Sequence, residues 1–117
     1  MRLLITGGAG FIGSHIAEKA LAKGWVVAVV DNLASGRREN VPNGSEFFQI
    51  DIREQAAVDT VFAEFKPTAV SHQAAQASVA VSVREPQMDA AVNITGSLNI
   101  MTACVANKVD RLVFAST

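Results

Sequence analysis

Tyrosine is absent from this 117-residue chain, cysteine occurs once and proline three times. The missing tyrosine removes the phenol from the available acids and bases. The lone Cys104 excludes an intrachain disulfide. Charge is also scarce, at 18% of residues against about 25% in ordinary domains. That deficit fits a sheet covered on both faces, or a surface that something else covers. Neither sign dominates: ten basic and eleven acidic side chains give a net charge of −1. With no basic stripe or stacking platform, nucleic acid is not an expected partner. No run of about 18 apolar residues lacks polar interruption, so no membrane span is expected. Met1-Arg2-Leu3-Leu4 leads directly into a strand-like run, without the n-region, h-region and cleavage site of a secretory signal. The expectation is a soluble cytoplasmic protein forming one domain, residues 1–117, long enough for its own core. His15 and His72 have no histidine or cysteine at metal-ligand spacing, so no metal site is expected and both read as structural. His15 lies on a helix that is expected to pack under the glycine-rich loop preceding it. Cys104, in an apolar helix, reads as a small buried hydrophobe.

What is present is an alternation of short aliphatic runs with helical patterns. Leu3-Leu4-Ile5 reads as a first strand. Phe11 to Lys23 reads as a helix with Ile12, Ile16 and Ala20 on one face and Gly24 as its stop. Trp25 to Val30, apolar throughout, reads as a parallel strand covered on both sides. Residues 32–46 are loop-like and Phe47 to Ile50 is a third strand. Asp51, with Glu54 three residues on, predicts a capped helix that Pro67 ends. Thr68 to His72 is a fourth strand and Gln73 to Arg84 a loop. Pro86 opens a long helix reaching about Asn107, and Arg111 to Ala115 is a fifth strand. This alternation implies right-handed crossovers and an α/β fold. The expected sheet is Rossmann-type, doubly wound and parallel, with strand order 3-2-1-4-5 and a crevice between strands 1 and 4.

Three glycines sit between the first strand and the first helix. Gly7 suits the tight turn, Gly10 the approach of a pyrophosphate, and Gly13 close packing of helix on strand. The helix start adds free N–H groups and a positive dipole end. Asp31, 18 residues beyond Gly13, closes the second strand, where a carboxylate can accept from the ribose hydroxyls of NAD. Arg37 and Arg38 offer a competing clamp for the 2′-phosphate of NADP, which Asp31 would repel, so NAD is the expected cofactor. Asp51 has two compatible roles, as helix cap and as a contact to the adenine edge. The long helix carries Ala90, Ala91, Val92, Ile94, Leu98, Ile100, Met101, Ala103, Cys104 and Val105 around most of its circumference. A helix packed only on a sheet needs one apolar stripe.

The segments "TGGAGFIGSH", "DNLASGRREN", "HQAAQASVAVSVREP", "NITGSLNIMTAC" and "RLVFAST" together resemble the extended short-chain dehydrogenase/reductase group. These are the NAD-dependent nucleotide-sugar epimerases and dehydratases, and the likeness is greatest to bacterial enzymes that epimerise UDP-sugars. The resemblance implies transient hydride transfer at the sugar C4. Phe11 and Ile12 would give N–H groups to the pyrophosphate. Asp31, Asn32, Ser35 and Gly36 would surround the adenosine ribose, and Asp51 and Ile52 would meet the adenine. Gln73, Ala74, Ala75, Gln76 and Ala77 would pass the nicotinamide half, with Asn93 projecting from the long helix toward them. Ser116 or Thr117 stands where the family's catalytic hydroxyl follows the fifth strand. The family's Tyr-x-x-x-Lys pair is missing, so the chain is expected to be the N-terminal dinucleotide-binding part of a longer enzyme, cut before its last strands and substrate domain, and inactive alone. The alternatives within the group are a dTDP-glucose 4,6-dehydratase or a UDP-glucuronate decarboxylase. A non-catalytic NAD-binding module is the alternative outside it. The resemblance also implies a homodimer through the helix 86–107, within a four-helix bundle.

Overall fold

A computed structural model describes residues 1–75 and 83–115. The elements follow in the order β1 (Arg2–Thr6), α1 (Phe11–Ala22), β2 (Val26–Asp31), a 3-10 turn (Arg38–Asn40), β3 (Glu46–Gln49), α2 (Gln55–Phe65) and β4 (Ala69–His72). A long helix, α3, then runs through Pro86–Ala90, a π-helical stretch Ala91–Gly96, and Ser97–Ala106; β5 (Arg111–Phe114) ends the described chain. The five strands are all parallel, in the order β3-β2-β1-β4-β5. The α/β class and strand order match the sequence reading.

Alternate residues of the central strands feed two cores, as the strand period of two requires. Leu3, Ile5, Val27 and Val29 face α1 with Ala17 and Ala20. Leu4, Ala28, Val30 and Val70 face α2 and α3 with Val58, Val61, Phe62, Phe65, Ile100, Ala103 and Cys104. Cys104 is thus a buried hydrophobe, and burial pushes its thiol pKa up to about 11. Both faces of the three central strands β2, β1 and β4 are covered, which explains their continuous apolar runs.

Two local expectations need correction. The buried stripe of α1 is Gly13, Ser14, Ala17 and Ala20, whereas Ile12 is 63% exposed. The helix presents its small residues to the sheet because Gly13 is pressed against the preceding turn, and that rotates Ile12 outward. His15 is also exposed, edge-on to Phe11 and 3.7 Å from Glu18. Finally, Asp51 does not cap α2. Its carboxylate accepts from the Arg53 N–H and guanidinium, and the cap position falls to Glu54 without a side-chain hydrogen bond. An Asp-turn one step before the helix has captured the acid intended for the cap.

Candidate functional site

The crevice lies where the strand order reverses, above the carboxyl ends of β1 and β4. Its floor is the turn from β1 to α1. Gly7 has φ +71, and a Cβ there would stand 2.8 Å from Ala74 N. A Cβ on Gly8 would meet Val29 Cγ1 at 2.6 Å, and one on Gly13 would meet Gly7 O at 2.3 Å. Gly10 differs, since its nearest protein atom would be 3.4 Å away. Three of the four glycines are therefore required by the protein's own packing. Gly10 instead keeps space open on the outer side of the turn.

That space borders the start of α1. The first helical bond runs from Ser14 N–H to Gly10 O at 3.0 Å, so the N–H groups of Phe11, Ile12 and Gly13 have no intrahelical acceptor. Phe11 is 79% exposed beside them. An anion seated there would meet three donors and the positive end of the helix.

Asp31 ties this turn to the next loop. Its Oδ2 accepts from Ala9 N–H at 3.0 Å and its Oδ1 from Leu33 N–H at 2.8 Å. A carboxylate has about four acceptor sites, which leaves room for hydroxyl donors. The loop folds back on the turn: Arg37 N–H and Asn40 Nδ2 both donate to Ala9 O, and a Cβ on Gly36 would lie 2.8 Å from Ala9 C. Ser35 and Asn32 are exposed along it. Arg37 reaches toward Glu39 at 3.6 Å, and the Arg38 guanidinium stacks 4.6 Å over the Phe47 ring. Both guanidinium groups thus have contacts away from Asp31.

On the β3 side, the Arg53 hydrogen bonds hold the Asp51 carboxyl below its ordinary range, with a contribution from Asn32. The carboxylate stays charged, and Asn32 and Asp51 are neighbours. Ile52 is buried against Gly96, so its side chain belongs to the core rather than the groove, and its carbonyl accepts from Asn99 Nδ2 at 2.9 Å. On the β4 side, Gln73 N–H donates to Thr6 O, and both Gln73 and Ala74 N–H reach Thr6 Oγ1. Ala75 is exposed beyond them. Asn93 sits half-buried in the π-helical stretch with Nδ2 donating to Asp89 Oδ1 at 3.2 Å. Gln76, Ala77, Ser116 and Thr117 lie outside the described residues.

Sequence reasoning missed Gly8 and Thr6. A doubled glycine and the last residue of a strand carried weak signals, and only the contacts to Val29 and to residues 72–74 show what they do. Among the described residues, no cluster of histidine, cysteine or acid has metal-binding geometry, and no helix is long and apolar enough to cross a membrane.

The model of the NAD dependent epimerase/dehydratase family matches residues 3–117. The UDP-glucose 4-epimerase of Mycolicibacterium smegmatis is 41% identical across the whole chain. A putative UDP-glucose 4-epimerase of Methanocaldococcus jannaschii is 40% identical over 98% of it. These alignments span 39% and 37% of the two relatives. The crystal structure of Thermus thermophilus UDP-glucose 4-epimerase with NAD superposes with a TM-score of 0.97 at 61% identity, covering all of this chain and 38% of that one. The Thermotoga maritima enzyme with UDP-glucose gives a TM-score of 0.97 at 45% identity, again over 38% of its length. The chain thus spans under two-fifths of each of these relatives.

Proposed function

The chain belongs to the NAD-dependent epimerase/dehydratase family, and from that premise we propose that it is the NAD-binding portion of a UDP-glucose 4-epimerase. The observation that carries the reading is the cradle at Gly10. It is the one glycine of the turn whose missing Cβ leaves open space, and it immediately precedes the free N–H groups of Phe11, Ile12 and Gly13. A pyrophosphate fits there by charge and by shape.

In this reading Asp31 accepts from the adenosine ribose hydroxyls with the lone pairs that Ala9 and Leu33 leave free, and its charge disfavours a 2′-phosphate. Asn32, Ser35 and Gly36 line the ribose. Asp51 and the backbone of Ile52 border the adenine. Gln73, Ala74 and Ala75 pass the nicotinamide, with Asn93 beyond. NAD supplies a hydride acceptor and donor for the sugar C4. The chain's residues hold and orient it. Proton removal from the sugar needs a base that this tyrosine-free chain does not supply, and Ser116 or Thr117 would only orient the hydroxyl. Saturable binding of one NAD per chain in a calorimetric titration supports the reading, and no binding overturns it. With UDP-galactose and NAD together, the chain alone is expected to show no turnover. Turnover above background in a clean preparation would reveal a different base.

The same reading includes a homodimer through α3. Ile94, Leu98, Met101 and Val105 recur at intervals of four, three and four residues and are all exposed, opposite the buried Ile100, Ala103 and Cys104. That spacing forms one straight apolar stripe of the kind helices pair through. Ile94 and Met101 both face outward, so Ile94→Glu or Met101→Glu is expected to weaken association by about 2 kcal/mol without unfolding the domain. Sedimentation across a concentration series measures this. A natural chain that stays monomeric at high concentration would contradict the dimer.

A further inference from the structure

In the NAD reading the groove has two walls, the Ile52 backbone on the adenine side and Gln73–Ala74 on the nicotinamide side. Behind Gln73–Ala74 runs a buried polar chain. Thr6 Oγ1 accepts from Gln73 and Ala74 N–H, each at 3.1 Å. With both acceptor positions taken, its proton points to His72 Nδ1, 2.6 Å away. Nδ1 is then an acceptor, the ring proton sits on Nε2, and Nε2–H donates to Ser97 Oγ at 2.9 Å. His72 is 3% exposed, and burial pushes its pKa down to about 4, in keeping with a neutral ring. Every link in this chain has one permitted direction, so it transmits position rather than merely filling space.

Ser97 is the first residue after the π-helical stretch of α3. Two residues further, Asn99 Nδ2 donates to Ile52 O, and between the walls Gly96 lies so close to Ile52 that a Cβ would stand 2.6 Å from Ile52 Cδ1. Such π-helical turns are often found at functional sites. We propose that the single turn Gly96–Asn99 is a positioning element for the cofactor, holding the nicotinamide wall through Ser97, His72 and Thr6 and the adenine wall through Asn99. The proposal rests on the NAD reading and adds to it the residues that set the groove's width. His72, Ser97 and Asn99 touch no ligand in this account and act through Gln73, Ala74 and Ile52.

Two ligands separate the walls: NAD, and ADP-ribose, which lacks the nicotinamide. Both are titrated calorimetrically into the full chain. His72→Phe is expected to lower the ratio of NAD to ADP-ribose affinity roughly tenfold, the size of one lost hydrogen-bonding link. His72→Asn, whose Oδ1 can take the Thr6 proton but whose side chain stops short of Ser97, is expected to recover only part of that ratio, to the level of Ser97→Ala. Asn99→Ala is expected to weaken both ligands by the same factor, again roughly tenfold. If His72→Phe does not fold, Ser97→Ala gives the same comparison with a ratio lowered about threefold. Equal losses for both ligands in the His72 or Ser97 variants would show a purely structural role and overturn the inference, as would unchanged affinities. A natural chain that binds neither ligand would instead overturn the cofactor reading, and this inference with it.

Discussion

Gly13→Ala is expected to destabilise the chain by about 3 kcal/mol or more, at the upper end of what overpacking costs. The added Cβ would lie 2.3 Å from Gly7 O and 2.7 Å from Gly8 Cα. Both are backbone atoms in a turn that is itself pinned. Gly7 N–H donates to Val30 O at 2.7 Å, and Gly7 packs against the backbone of residues 73–74. The neighbours have nowhere to give, so α1 must lift off the sheet and loosen Ala17 and Ala20 from their core. Urea unfolding measures the effect as a lower midpoint at unchanged slope. Gly10→Ala is the matched control. Its Cβ has only Gly7 O nearby, at 3.4 Å, so it should cost well under half as much stability while still obstructing the pyrophosphate. Equal stability losses in the two variants would mean that Gly13 is not the closest approach of helix to turn.

The second large effect belongs to Asp31→Ala, which is expected to weaken NAD binding by about 1–3 kcal/mol, as when a charged hydrogen-bonding partner is lost. The carboxylate does two things at once. It would receive the ribose hydroxyls, and it already receives Ala9 and Leu33 N–H, joining the glycine turn to the loop after β2. Leu33 has φ +63, a conformation that costs a non-glycine residue, and its hydrogen bond to Asp31 helps hold it there. Part of the loss therefore comes from loop reordering and should appear as lower thermal stability without ligand. Asp31→Asn keeps the acceptor for one N–H and removes the charge. It should narrow the preference for NAD over NADP with a smaller stability loss. An Asp31→Ala variant that binds NAD as the natural chain does would remove Asp31 from the site.

The central strands were legible because both of their faces are buried. A run such as Val27–Val30, buried at every position, needs no periodicity to declare itself. Strand order followed from the alternation together with the doubly wound pattern that the glycine turn signals. The rotation of α1 was not legible. Ile12, Ile16 and Ala20 form a better apolar face than Gly13, Ala17 and Ala20, and only close packing on the turn favours the smaller set. Asp51 misled for a related reason: the acid of a capping pattern and the acid of an Asp-turn look alike until Arg53 claims it. The π-helical stretch Ala91–Gly96 has no signature in residue type, since it differs from an α-helix only in which carbonyl each N–H reaches. The glycine turn and Asp31 were readable as a local motif. The chain Thr6–His72–Ser97 was not, because it joins residues 66 and 25 positions apart whose neighbourhood depends on the register of β1 with β4.

The Gly10 cradle and Asp31 are the proposed site for NAD. The most direct test is a pair of calorimetric titrations of the natural chain, one with NAD and one with NADP, under identical salt and pH. Saturable binding of one NAD per chain and clearly weaker binding of NADP are the expected result. Equal or tighter binding of NADP would contradict it and transfer the 2′-position to Arg37 and Arg38.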